Sequence, residues 1–166
     1  MKIESKGIVN GKIADRFGSK GTQFTEGGMP SYSLPLDITD PPEGTVSFAI
    51  VFEDHDAIPV CGFTWIHWTV SDLKRTSLDE NESATAKDII QGVNSFCSCA
   101  SDLTAEEASA YGGPDPPDKE HEYTLTVFAL DKELGLKNGF FLNDMIKRMD
   151  GHVLAHAKIK GRYSPR

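Results

Sequence analysis

Along Val46 to Val70, VSFAIVFEDHDAIPVCGFTWIHWTV, two apolar runs bracket an acidic loop. In the first run Val46, Phe48, Ile50 and Phe52 fall on one face and Ser47, Ala49 and Val51 on the other, the period-two pattern of a strand. Small or apolar residues on both faces predict a central strand. The loop Glu53 to Pro59 interrupts it, and Phe63 to Val70 resumes the pattern, with Phe63, Trp65, His67 and Thr69 on one side and Thr64, Ile66, Trp68 and Val70 on the other. A third strand is predicted over Glu122 to Leu130, where Tyr123, Leu125, Val127 and Ala129 oppose Thr124, Thr126, Phe128 and Leu130. From Phe141 the period turns helical: Phe141, Leu142, Met145, Ile146 and Met149 form a core-packing stripe, and Gly151 is placed to stop it. After an apolar turn at Val153-Leu154 the chain closes with a strand, Ala157 to Tyr163, showing Lys158, Lys160 and Arg162 on its other face.

The remaining segments read as connections. Residues 1 to 45, rich in Gly, Pro, Ser and Thr, give loops and short edge strands around Gly7 to Val9 and Ser33 to Leu36. Pro41-Pro42-Glu43-Gly44 is a turn, because proline fixes φ and glycine supplies the positive φ of a reversal. Residues 71 to 110 are polar and acidic, a long surface excursion in which Gly92-Val93-Asn94-Ser95-Phe96 returns to the core. A short helix is expected over Thr104 to Ala110, with Thr104 as N-cap and Glu107 completing a capping box. No repeat, low-complexity tract or linker divides the chain, so 1–166 is expected to be one mostly β domain.

Charge and cysteine usage narrow the function classes. A formal net charge of -8 argues against sequence-independent nucleic-acid binding and against an anionic membrane surface, since both need a basic face. The opening MKIESKGIVNGKIADRF has no apolar signal-peptide core, and no run approaches the ~20 apolar residues of a membrane span. A cytoplasmic protein without a transmembrane segment is the expectation. Cys61, Cys97 and Cys99 fit neither a zinc knuckle nor a CxxC motif, so reduced thiols are expected.

Candidate chemistry gathers at strand ends, where function is usually carried. Asp54, Asp56, His67, His121 and Tyr123 all lie there. An acid beside an imidazole fixes its tautomer and raises its pKa, so the ring can donate hydrogen bonds or carry charge. Two such rings, with backbone N–H groups from Tyr111-Gly112-Gly113, predict a receptor for a phosphate-like anion. Trp65, Trp68 and Tyr123 offer an apolar wall. Each residue also has a plainer role. His67 between tryptophans can be a satisfied core histidine, Asp54 and Asp56 can be turn formers, and Gly112-Gly113 and Pro116-Pro117 can merely punctuate loops. His55, His152 and His156 are expected to be structural or exposed.

A set of segments resembles one family. They are Pro42-Glu-Gly-Thr-Val-Ser-Phe-Ala-Ile, Glu53-Asp-His-Asp-Ala-Ile-Pro, Trp65-Ile-His-Trp, Gly92-Val-Asn-Ser-Phe, Tyr111-Gly-Gly-Pro-Asp-Pro-Pro, His121-Glu-Tyr, Met149-Asp-Gly-His-Val-Leu-Ala and Gly161-Arg-Tyr. In this order, from about residue 28 to the end, they resemble the phosphatidylethanolamine-binding protein family, which includes the Raf kinase inhibitor protein, and are most similar to its short prokaryotic YbhB/YbcL branch. The resemblance implies an antiparallel β-sandwich with a short C-terminal helical segment and an anion pocket. On that pattern Asp54 and Asp56 match the acids of the Asp-Pro-Asp-x-Pro signature, His67 the histidine of the Trp-x-His strand, Pro116 and Pro117 the pocket loop, and His121 and Tyr123 the His-x-Tyr pair. His55 stands where that signature has proline, Ile58 adds a residue before Pro59, and the stretch from Cys97 to Ala110 reads as an insertion able to cover the pocket.

The expectation is therefore a non-enzymatic binding protein that holds a small phosphorylated or carboxylated ligand at Asp54, Asp56, Trp65, His67, Tyr111, Gly113, Pro116, Pro117, His121 and Tyr123. Neither a cofactor nor a metal is expected. A protein kinase or another protein is a candidate partner, and the resemblance implies inhibition of kinases or proteases in several members. A homodimer stays open. The alternatives are a hydrolase or metal-dependent enzyme using the same Asp/His cluster, and an interaction scaffold with a vestigial pocket. Gly-x-Ser-x-Gly and His-Glu-x-x-His are both absent, which weakens the enzyme reading.

Overall fold

The computed structural model describes residues 1–166. Its strands are β1 (Lys2–Glu4), β2 (Ile8–Val9), β3 (Lys12–Ile13), β4 (Leu36–Thr39), β5 (Ser47–Asp54), β6 (Trp65–Leu73), β7 (Ser77–Leu78), β8 (Ile90–Gln91), β9 (Cys97–Ser98), β10 (Ser101–Asp102), β11 (His121–Leu130) and β12 (Val153–Tyr163). The helices are short: α1 (Ile58–Cys61), α2 (Glu82–Thr85) and α3 (Leu142–Met149). A seven-stranded sheet runs β2-β3-β12-β11-β5-β6-β8, and a three-stranded sheet runs β1-β4-β7. All pairings are antiparallel except β12 with β3, which meet in parallel at Arg162 and Lys12.

Strand β5 is central because both its faces are covered. Phe48, Ile50 and Phe52 join Val127 and Leu125 of β11 and Ile3, Leu36, Ile38 and Leu78 of the small sheet in the inter-sheet core. Ala49 and Val51 face the other way, against Leu134, Leu136, Phe140, Met145 and Met149. This two-sided burial is the physical reason for the continuous apolar run in the sequence.

Several expectations are corrected. The alternation predicted for residues 63 to 70 fails at His67: β6 pairs Trp68 with Phe52 but Ile66 with Glu53, leaving His67 as the extra residue of a bulge. The bulge lets His67 and Trp68 both turn toward Phe52 and the inter-sheet core. The 104–110 segment forms a single turn, with Glu107 N–H donating to Thr104 Oγ1 at 3.2 Å, and no capping box. Glu107 Oε1 instead accepts from Gly27 N–H at 2.7 Å, so a tertiary contact draws away the carboxylate that the box requires. In α3 only Met145 and Met149 are buried, while Phe141, the N-cap, and Ile146 are 51% and 55% exposed, because a lone helix on the sheet needs a narrower seam than the stripe suggests. Residues 71 to 110 are less peripheral than expected, since Leu73, Leu78, Ile89 and Val93 are buried and β7 and β8 extend the two sheets.

Candidate functional site

The site forms where the ends of β5, β6 and β11 meet. Asp54 ends β5 opposite Trp65 of β6 and Tyr123 of β11. The segment after it is pinned locally: Asp54 Oδ1 accepts from the N–H groups of Asp56 at 2.8 Å and Ala57 at 3.3 Å. This Asx-type turn holds the loop with His55, not proline, at position 55. Pro59 lies in the first turn of α1, where its missing N–H leaves no helical bond unmade. Asp56 points away from the cleft and accepts from Glu122 N–H at 2.9 Å, tying the loop to β11.

The result is a cleft of about 390 Å³. Of the residues predicted for the site, Asp54, Trp65, His67, Pro116, Pro117, His121 and Tyr123 line it. Asp56, Tyr111 and Gly113 do not. Tyr111 is fully buried beneath it, stacked on Phe52 at 5.9 Å, with its hydroxyl donating to the Phe17 carbonyl. Gly113 packs so closely that a Cβ would lie 2.4 Å from Phe17 O. The expected anion-receiving amides are occupied: Tyr111 N–H donates to Ser83 Oγ, Gly112 N–H to the His67 carbonyl and Gly113 N–H to the Pro30 carbonyl.

The two imidazoles are buried, His67 3% and His121 1% exposed, but they are held differently. His121 Nδ1 is 2.7 Å from Asp54 Oδ2 and Nε2 is 2.8 Å from Asp118 Oδ1. Carboxylates only accept, so both nitrogens donate and the ring is an imidazolium. Burial pulls its pKa down, yet the hydrogen bonds and charges of Asp54 and Asp118 outweigh that and the net shift is upward. The same contact holds the Asp118 carboxyl below its usual range.

His67 departs from expectation. No acid hydrogen-bonds it; its Nδ1 lies 2.6 Å from the Gly112 carbonyl. Phe52, Phe96 and Tyr123 surround the ring, with centroids 5.4, 6.5 and 5.1 Å away. Burial lowers its pKa to about 4, more than the Gly112 contact and Asp54 raise it. Asp54 therefore orients His121 alone, and His67 is neutral at physiological pH. The Tyr123 hydroxyl is likewise protonated, because burial and the nearby Asp54 push its pKa far up.

Sequence reasoning missed part of the wall. Phe96, Ala100 and Ser101 line the cleft from the β9–β10 hairpin, and Ala57, Val60 and Cys61 line it from α1. The stretch after Cys97 borders the cleft through Ala100 and Ser101. Phe96, an aromatic closing an otherwise polar stretch, was the available signal, as was the Asp118-x-x-His121 spacing for the second carboxylate. Trp65 is stacked on Phe63 at 5.9 Å and meets Phe96 edge-on at 5.2 Å, which fixes the outer rim. No lysine or arginine lines the cleft, and Asp115 adds another carboxylate. The Cys61 thiol donates to the carbonyls of Ala57 and Phe63, each at 3.4 Å, rather than meeting an imidazole. All three cysteines are free thiols. No cluster of three His, Cys, Asp or Glu side chains is arranged to hold a metal ion, and no helix is long and apolar enough to cross a membrane.

Comparison with known proteins agrees with this architecture. The family model described as "Phosphatidylethanolamine-binding protein" matches residues 5–164. The uncharacterized protein YxkA of Bacillus subtilis is 45% identical over 142 residues, covering 83% of this chain and 84% of its own. A UPF0098 protein of Chlamydia trachomatis is 33% identical over 133 residues, covering 79% and 81%. Among solved structures, the putative phosphatidylethanolamine-binding protein homolog CT736 of Chlamydia trachomatis superposes with a TM-score of 0.79 at 29% identity, covering 99% of this chain and 97% of its own. YbcL of E. coli, described as a new member of the mammalian PEBP family, shares the fold with a TM-score of 0.78 at 24% identity, covering 99% and 98%.

Proposed function

Because the chain belongs to the phosphatidylethanolamine-binding protein family, we propose that it is a non-enzymatic binding protein whose cleft takes a small phosphorylated or carboxylated ligand. The supporting observation is the buried His121–Asp54 pair set beside His67 and Tyr123 in a 390 Å³ cleft. A charge pair buried from water is costly to keep unless the fold gains something by it, and a titratable group shifted by a specific charge partner in a concave site is a candidate for function. The volume lies at the small end of ligand pockets, which span roughly 300–1,000 Å³. It suits a head group and not a folded peptide.

In this reading His121, Tyr123, His67 and the Pro116-Pro117 turn contact the ligand, Trp65 flanks its less polar part, and Asp56, Tyr111 and Gly113 hold the wall. Through its hairpin rim the occupied cleft modulates a protein partner, a kinase or another protein, in the cytoplasm. The test is a titration with inorganic phosphate and O-phosphotyrosine followed by NMR of the histidine rings. Saturable shifts of His67 and His121 are expected at millimolar ligand, while exposed His156 stays still. Unmoved His67 and His121 signals under those conditions would refute the reading.

A further inference from the structure

An oxyanion is ordinarily met by hydrogen-bond donors, and this cleft offers few. Lysine and arginine are absent from its wall. The amides of Tyr111, Gly112 and Gly113 already have acceptors, and both His121 nitrogens donate to carboxylates. The Tyr123 hydroxyl, the Trp65 indole N–H and His67 Nε2 all belong to the wall and have no hydrogen-bond partner in the protein, and of the three His67 Nε2 is the imidazole nitrogen.

The tautomer of His67 is set by geometry. A carbonyl oxygen can only accept, so the 2.6 Å contact with Gly112 O places a proton on Nδ1. Nε2 could carry a second proton only if the ring became charged among Phe52, Phe96 and Tyr123, and burial opposes that. The ionisable groups around the ring are Asp54 at the end of β5, Asp115 on the 111–120 loop, His121 and Tyr123 on β11, and Cys61 on α1. Asp54 and Asp115 favour a charged ring and His121 opposes it, but burial exceeds them all and holds the pKa near 4. At neutral pH Nε2 is an acceptor.

We propose that the cleft selects oxyanions that still carry a proton, the ligand's P–OH donating to His67 Nε2 while another of its oxygens accepts from the Tyr123 hydroxyl. This rests on the anion-binding reading above and narrows it to monoprotonated phosphates: hydrogen phosphate itself, or a singly protonated phosphomonoester. Sulfate has the same shape and charge as hydrogen phosphate but no proton at neutral pH, so one of its oxygens would face the Nε2 lone pair. A buried acceptor left without its donor discriminates strongly, by about tenfold or more. pH separates the two phosphate types. A phosphomonoester loses its last proton near pH 6, whereas hydrogen phosphate keeps one throughout the neutral range.

Isothermal titration calorimetry of the full chain with inorganic phosphate, sulfate and methyl phosphate, at several pH values between about 6.5 and 8.5, tests this. Phosphate is expected to bind about tenfold or more tightly than sulfate. Relative to phosphate, methyl phosphate should weaken by about tenfold for each pH unit above its second pKa. In His67→Gln the side-chain amide can rotate to donate, so the preference for phosphate over sulfate should collapse. Should that variant fail to fold, the wild-type phosphate-to-sulfate ratio still decides. Sulfate binding as tightly as phosphate, or methyl phosphate tracking phosphate across the pH range, overturns the proposal and leaves the anion site standing. Failure of all three ligands to bind overturns both.

Discussion

At the scale of single residues, His67 and His121 show one side-chain type driven in opposite directions by its surroundings. Burial among aromatic rings takes His67 from 6.5 to about 4, whereas for His121 the carboxylates of Asp54 and Asp118 overcome burial and the shift is upward. The signs of the linkage follow. His67 binds fewer protons folded than unfolded between pH 6.5 and 4, so its contribution to stability falls as pH drops through that window, by on the order of 3 kcal/mol. His121, raised in the fold, contributes fully below 6.5 and loses that contribution as pH rises through its folded value. Urea unfolding between pH 6.5 and 4 should therefore cost wild type about 3 kcal/mol more than His67→Gln; equal losses in both would contradict a neutral buried ring. Asp54→Asn should be costly at neutral pH, about 3–5 kcal/mol, because it leaves the buried His121 charge with one exposed partner. His121 and Asp54 could be named from sequence as an acid and a base near strand ends. That Asp118 would take the second nitrogen and that Gly112 would fix the His67 tautomer depended on loops whose course no periodicity describes.

At the scale of elements, the long strands were legible because their side-chain alternation is a direct image of two-sided or one-sided burial. The irregularities were not. A bulge adds one residue without any compositional mark, and in β6 it decides that His67 reaches the cleft while Trp68, next to it, packs into the inter-sheet core. A second irregularity in the same strand lies between the pairs Phe48–Leu73 and Ile50–Val70. There Asp72 adopts a positive φ of 56° and accepts from the N–H groups of Leu134 at 2.5 Å, Gly135 at 3.1 Å and Leu136 at 3.3 Å. This buried carboxylate anchors the loop that leads to α3, and Arg148 of α3 donates back to the Leu134 carbonyl at 2.7 Å. Replacing Asp72 with Ala should lower stability by about 2–4 kcal/mol in urea titration, since three loop amides, two of them buried, lose a charged acceptor and Ala is strained at positive φ. Asp72→Gly relieves only the backbone part, so it should cost nearly as much. A near-neutral glycine variant would show that backbone strain, and not the carboxylate, governs the position.

At the scale of the whole molecule, charge shapes how a ligand arrives. The chain carries a net charge of -8 and its cleft has no lysine or arginine, so an approaching anion is repelled and screening helps it. Raising ionic strength from about 0.01 to 0.15 M shortens the Debye length from about 30 to 8 Å. Phosphate affinity measured by calorimetry should rise modestly over that range; a fall would point to an attracting basic site elsewhere on the surface. Composition, net charge and strand periodicity were fixed by the residues themselves, because each reflects a local or summed property: which side chains prefer water, how a pleat alternates, how charges add. The mostly β class and the central place of β5 followed from these. The encounter of Asp54 with His121, 67 residues apart in the chain, the bulge that turns His67, and the occupation of the glycine-loop amides were decided only when the sheets closed. Hydrogen bonds between distant groups depend on the relative placement of whole elements, and that placement is a collective outcome of packing that no short stretch of sequence encodes.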